Sequence, residues 1–135
     1  MHIKQAVKFL SKKTVMLIAI LALALSASIK TAMAHAMLVK SDPPRRATLT
    51  VPPKQIQLWF NEKVEGAYAS VIVRNEQENS VTENNPETVA DDPKTIVLKL
   101  PEIESGRYTV HYRVMSVDGH VIESRYDFNV KIKIQ

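Results

Sequence analysis

Tyr108-Thr109-Val110-His111-Tyr112-Arg113-Val114-Met115 is the stretch that decides how this chain folds. Tyr108, Val110, Tyr112 and Val114 alternate with Thr109, His111, Arg113 and Met115, the period-two pattern of a half-buried strand. Gly106 supplies a turn before it. Downstream, Ile122, Ser124, Tyr126, Phe128 and Val130 mark a second strand whose other face is Glu123, Arg125, Asp127 and Asn129. Upstream, Ile96, Leu98 and Leu100 mark a third, ended by Pro101. Gln55 to Asn61 repeats the alternation with Ile56, Leu58 and Phe60 on one face and Gln57, Trp59 and Asn61 on the other. Trp59 thus falls on the polar face, where it either packs under a loop or forms an exposed contact patch, packing being the stronger reading.

The remaining segments fit the same class. Ala67 to Arg74 is β-prone, although alternation does not settle its buried face. Ala36 to Lys40 reads as a first strand, stopped by Ser41-Asp42-Pro43-Pro44. The connection from Arg45-Arg46 to Pro52-Pro53 reads as extended, because proline removes a donor and biases the residue before it. Residues 75–94 are polar and acidic, with Glu83, Glu87, Asp91, Asp92, Pro86 and Pro93, and predict a long surface loop with at most a short strand near Ser80 to Thr82. They lack the carboxylate rhythm of an EF-hand. From position 35 onward no sustained helical period occurs. Short strands separated by turn signals predict an all-β fold, an immunoglobulin-like antiparallel β-sandwich of Greek-key type.

The first 34 residues read differently. Lys4, Lys8, Lys12 and Lys13 precede an apolar core, Val15 to Leu25, and then Ala32-Met33-Ala34, a small-x-small cleavage signal. The apolar core falls short of the roughly 20 residues a spanning helix needs, so 1–34 is expected to be a signal peptide and 35–135 the mature domain, the alternative being an uncleaved anchor. The formal charge of +4 is then misleading. Five lysines leave with the signal, so 18 − 5 = 13 basic residues remain against 14 acidic ones, a net of −1. That removes the electrostatic motive for a nucleic-acid partner. There is no cysteine, although the signal directs the chain to an oxidising compartment. Any metal site must therefore be built from nitrogen and oxygen, with Met as the one sulfur option.

Cleavage after Ala34 would make His35 the first residue. A histidine there offers two nitrogens to one ion, since the α-amine and ring Nδ1 close a six-membered chelate. Taken alone, the residue after a cleavage site is weakly constrained. Between the last two strands lies Ser116-Val117-Asp118-Gly119-His120. Asp-Gly is a common hairpin turn pair. The same Asp118 and His120 can also point a carboxylate and an imidazole at one ion. With His35 the set becomes an amine, two imidazoles and a carboxylate, which suits one tetragonal Cu(II) ion. His111 sits in mid-strand on the polar face and reads as a surface residue; His2 leaves with the signal.

These pieces resemble the CopC family of bacterial periplasmic copper-binding proteins. The resemblance runs through His35-Ala36-Met37-Leu38-Val39, Ser41-Asp42-Pro43, Gln57-Leu58-Trp59-Phe60, Gly106-Arg107-Tyr108-Thr109-Val110 and Arg113-Val114-Met115-Ser116-Val117-Asp118-Gly119-His120. It implies Cu(II) ligands at His35, Asp118 and His120, a periplasmic location, a role in copper homeostasis or resistance, and a CopD-like inner-membrane copper protein as partner. Residues 75–94 hold no methionine, unlike the Met-rich Cu(I) loop of some family members, and mature Met37 and Met115 are isolated. Pro44-Arg45-Arg46 replaces a glycine-containing segment usual in the family.

Two other functions fit parts of the sequence. An N-terminal histidine with a second histidine also resembles the copper centre of polysaccharide monooxygenases, but Asp118 would fill a position that oxygen activation needs open. A metal-free β-sandwich interaction module would use Asp118 to His120 only as a turn.

Overall fold

The computed structural model describes residues 11–26 and 35–133. The chain forms two units, Met1–Met33 and Ala34–Gln135. The described part of the first is one helix, α1 (Lys12–Ser26), which covers the apolar stretch read as a signal core. The expected cleavage motif, Ala32-Met33-Ala34, lies outside the described residues. Among the described residues no helix is long and apolar enough to cross a membrane.

The second unit is a sandwich of two four-stranded sheets. Its strands are β1 (Leu38–Asp42), β2 (Thr48–Leu49), β3 (Gln55–Phe60), β4 (Ser70–Arg74), β5 (Glu87–Val89), β6 (Asp92–Lys99), β7 (Gly106–Met115) and β8 (Val121–Val130). One sheet runs β1-β3-β6-β5 and the other β2-β8-β7-β4. Only β5–β6 and β7–β8 are consecutive neighbours within a sheet. Every other connection crosses the sandwich, so both sheets of this unit contribute to one core.

Alternation explains which faces meet. Ile56, Leu58, Phe60, Ile96 and Leu98 from one sheet face Val71, Val73, Tyr108, Val110, Tyr112, Val114, Tyr126, Phe128 and Val130 from the other, all of them buried. Each large side chain so enclosed contributes about 1.5 to 3 kcal/mol. Register partners Tyr108 and Phe128 stack at 5.5 Å, and Phe60 meets Tyr112 edge-on at 6.0 Å across the layers. The Tyr108 hydroxyl donates to the Glu104 carbonyl at 2.9 Å. A tyrosine near the start of a strand bonding back to the preceding corner is a feature of immunoglobulin-like sandwiches. It anchors the entry to β7.

The expected all-β sandwich is therefore present, with local differences. The first strand begins at Leu38 and continues to Asp42, because Asn61 occupies the pairing position before it; a bulge at Val39 separates the Leu38–Phe60 and Lys40–Trp59 pairs. Within the connection expected to be merely extended, Thr48–Leu49 pairs in parallel with Asn129–Val130, the one parallel ladder among the described residues. In residues 75–94 the strand forms at Glu87–Val89; Ser80 makes only an isolated bridge to Arg74. Trp59 is half-buried, covered by Lys40, whose Nζ stands 4.6 Å above the ring, rather than packed under a loop. Ser124, on the face expected to be inward, is exposed, although its register partner Tyr112 is buried. Arg46, at φ 61°, holds the left-handed conformation that glycine would favour.

Candidate metal centre

The β7–β8 ladder keeps register through ten pairs, from Gly106–Val130 to Met115–Val121, so the turn at its end is held by the longest hairpin of the domain. Ser116 N–H donates to the His120 carbonyl at 2.9 Å, and Gly119 N–H to the Ser116 carbonyl at 2.9 Å. Gly119 has φ 88°, which a side chain would strain. The hairpin-turn reading of Asp118-Gly119-His120 is thus satisfied, and it sets both side chains on one short arc.

Ser116 is the fixed point beneath them. It is buried, forms an isolated bridge to Val64, and donates its hydroxyl to Oδ1 of Asp118. The His120 amide also donates to that oxygen, at 3.3 Å. The Ser116 hydroxyl, against opposing desolvation and with help from the His120 amide, holds the Asp118 carboxyl below its ordinary range. The carboxylate is therefore charged at neutral pH. Its Oδ2 lies 2.9 Å from Nδ1 of His120, and that nitrogen, shielded from solvent, has no other partner among the described residues. An imidazole nitrogen left so beside a carboxylate suits a cation.

His35 arrives from the other sheet. It lies just before β1, and its ring centroid is 4.8 Å from that of His120, the planes at 77°. Asn61, the residue after β3, connects to this segment: its amide donates to the Met37 carbonyl at 3.0 Å, its Oδ1 accepts from Met37 N–H at 2.6 Å, and its Nδ2 donates to the His35 carbonyl at 3.4 Å. All three expected ligands are thus neighbours at one end of the sandwich. Among the described residues, no three His, Asp or Glu side chains are already gathered as a metal cluster. The donor types, two imidazoles and a carboxylate, fit a first-row divalent cation.

His111 is elsewhere. It is in mid-β7, in register with Ile72 and Arg125, half-buried rather than the surface residue expected, with Nε2 shielded and without a hydrogen-bond partner among the described residues. Its strand neighbours cover it on the outer face. Sequence reasoning missed two residues at the centre, Ser116 and Asn61. A serine at the end of an alternating strand, two positions before an aspartate, was the available signal for the first; for the second there was none beyond its place after β3.

A family model for the CopC domain matches residues 38–131. Copper resistance protein C of Escherichia coli is 32% identical over 108 residues, covering 75% of this chain and 85% of that protein. Protein YobA of Escherichia coli strain K12 is 31% identical over 99 residues, covering 73% and 80%. The crystal structure of CopC from Methylosinus trichosporium OB3b superposes with a TM-score of 0.71 at 34% identity, covering 75% of this chain and 98% of that one.

Proposed function

Because this chain belongs to the CopC family, we propose that it is a periplasmic Cu(II)-binding protein that sequesters or carries copper, with one ion held by His35, Asp118 and His120. The observation that carries this reading is the meeting of His35 and His120, ring to ring at 4.8 Å, from segments far apart in the chain, one just before β1 and the other in the β7–β8 turn. Removal of residues 1–34 as a signal peptide frees the His35 amine. The amine and ring nitrogen then supply a chelate, His120 a third nitrogen, and the ionised Asp118 a charge-compensating oxygen. Copper is cargo here. The basic, apolar beginning of the chain supports export, and the relatives' names support copper resistance as the setting. A CopD-like inner-membrane copper protein is the proposed partner. The carboxylate beside His120 favours a binding protein over an oxygen-activating enzyme; oxygen uptake with reductant and polysaccharide should stay at background.

The test is a Cu(II) titration of protein beginning at His35, followed by electron paramagnetic resonance. One ion per chain and a tetragonal spectrum with several nitrogen couplings are expected. In a chain with an additional residue before His35, the amine becomes an amide and loses its donor pair, so binding should weaken and the spectrum change. Identical affinity and spectrum in the extended chain would remove His35 from the ligand set.

A further inference from the structure

Asn61 lies where the β1–β3 ladder should end, and it continues the ladder by an unusual route. Beyond the Leu38–Phe60 pair, the Met37 carbonyl accepts from the Asn61 backbone amide at 3.0 Å. The return bond does not go to the Asn61 carbonyl, which accepts instead from Lys94 Nζ at 3.2 Å. Met37 N–H goes to the Asn61 side chain, Oδ1, at 2.6 Å. The other half of the same planar amide, Nδ2, faces the His35 carbonyl at 3.4 Å. One head group therefore holds both Met37 and His35. A primary amide is suited to this, because it carries an acceptor and a donor on one rigid plane.

We infer that Asn61 is a positioning residue for copper, fixing the backbone of His35 so that its amine and ring close on the ion beside His120. This deepens the reading of the site given above and rests on it. His35 is exposed and lies before the first strand, where a chain end ordinarily frays. An amine and an imidazole on a frayed residue would have to be ordered at the moment of binding. The Asn61 amide supplies that order beforehand, and Ala36, fully buried between His35 and Met37, secures the same segment from the core side. Asn61 itself touches no expected ligand side chain. It acts through the His35 backbone.

The experiment compares Asn61→Leu and Asn61→Ser with the unsubstituted protein, each beginning at His35 and each with an extra residue before it. Leu is close in size without the amide; Ser is polar but too short to bridge both partners. Cu(II) affinity is measured by competition with a chromophoric chelator, with the paramagnetic spectrum and the metal-free Tm recorded in parallel. Both substitutions are expected to weaken Cu(II) binding by roughly 10-fold to 100-fold, the range for outer-shell partners, and to alter the spectrum. In the extended chains, whose amine is blocked, the same substitutions should leave affinity unchanged. Unchanged affinity and spectrum for both variants beginning at His35 would overturn the inference. So would an equal loss in the extended chains, which would mark a general structural effect. If the unsubstituted protein binds no more tightly than its extended form, the amine reading itself fails and takes the inference with it.

Discussion

Oδ1 of Asp118 receives the hydroxyl of Ser116, a side chain only 1% exposed that ends the core-facing run of β7. An exposed turn is thereby tied to the interior of the domain. Ser116→Ala removes the largest influence holding the Asp118 carboxyl down, so its pKa should rise toward the ordinary carboxylate range. A carbon-detected NMR titration of Asp118 reads this directly. Loss of one hydrogen bond should also cost about 1 kcal/mol of stability, measurable by urea unfolding.

Removal of a proposed ligand should be more severe than removal of a supporting residue. His120→Ala is expected to weaken Cu(II) binding by more than about 100-fold, beyond the outer-shell range. Asp118→Ala should cost less, since a carboxylate that can sit axially binds Cu(II) less firmly than an imidazole in the tetragonal plane. His111→Ala should leave binding unchanged, because His111 stands between Ile72 and Arg125 in the middle of its sheet. Chelator competition with the three variants measures the order, and equal weakening by His111→Ala would show the wrong histidine has been assigned.

Copper should also stabilise the domain. Ligand held at a thousand times its Kd adds about 4 kcal/mol, and each kcal/mol moves Tm by roughly 4 to 8 °C in a domain near this size. Calorimetry of the mature protein with saturating Cu(II) should show a rise above about 10 °C. A shift of one or two degrees would be inconsistent with a specific site. Protons compete with the ion for nitrogen donors, so the gain should shrink as pH falls.

A separate acid dependence should arise on the outer face of the β7–β8 sheet. Arg107 donates to Asp127, joined by the Thr109 hydroxyl at 2.9 Å, and these bonds hold the Asp127 carboxyl below its ordinary range despite partial desolvation. A depressed folded-state pKa contributes stability that is fully present above the unfolded value, about 3.9, and is lost as pH falls through the lower folded value. Asp127→Asn should therefore reduce stability at neutral pH and flatten its fall below about pH 4. Urea midpoints from pH 2 to 7 check both halves. Partial exposure of the pair keeps the effect modest.

Much of this was legible in sequence because period-two alternation is a one-dimensional record of a two-sided sheet. Tyr108 to Val114 and Ile56 to Phe60 are inward because their spacing allows nothing else once one face is buried. The Asp118-Gly119-His120 turn was legible for the same reason, being bounded by two alternating strands. What escaped reading depended on partners distant in the chain. Thr48–Leu49 is too short to show a period, and only its neighbour Asn129–Val130 makes it a strand. Trp59 on a polar face gave no hint that Lys40 would cover it. The Asn61 amide became visible only when β1 was laid against β3.

The sheet borders have a bearing on how this domain behaves among its own copies. Unsatisfied amides along a long flat strand invite another chain to add itself, and nothing here relies on disulfides to prevent it. Among the described residues, β1 is interrupted by its bulge at Val39 and ends at Asp42, before Pro43, while β5 is three residues long and β2 only two. Along β4, Arg74 bridges Ser80 and Val81 N–H donates to the Val73 carbonyl, so a returning segment screens the end of that border. Each of these four border strands is short, interrupted or screened. The border strands themselves therefore give a neighbouring copy little continuous backbone to pair with.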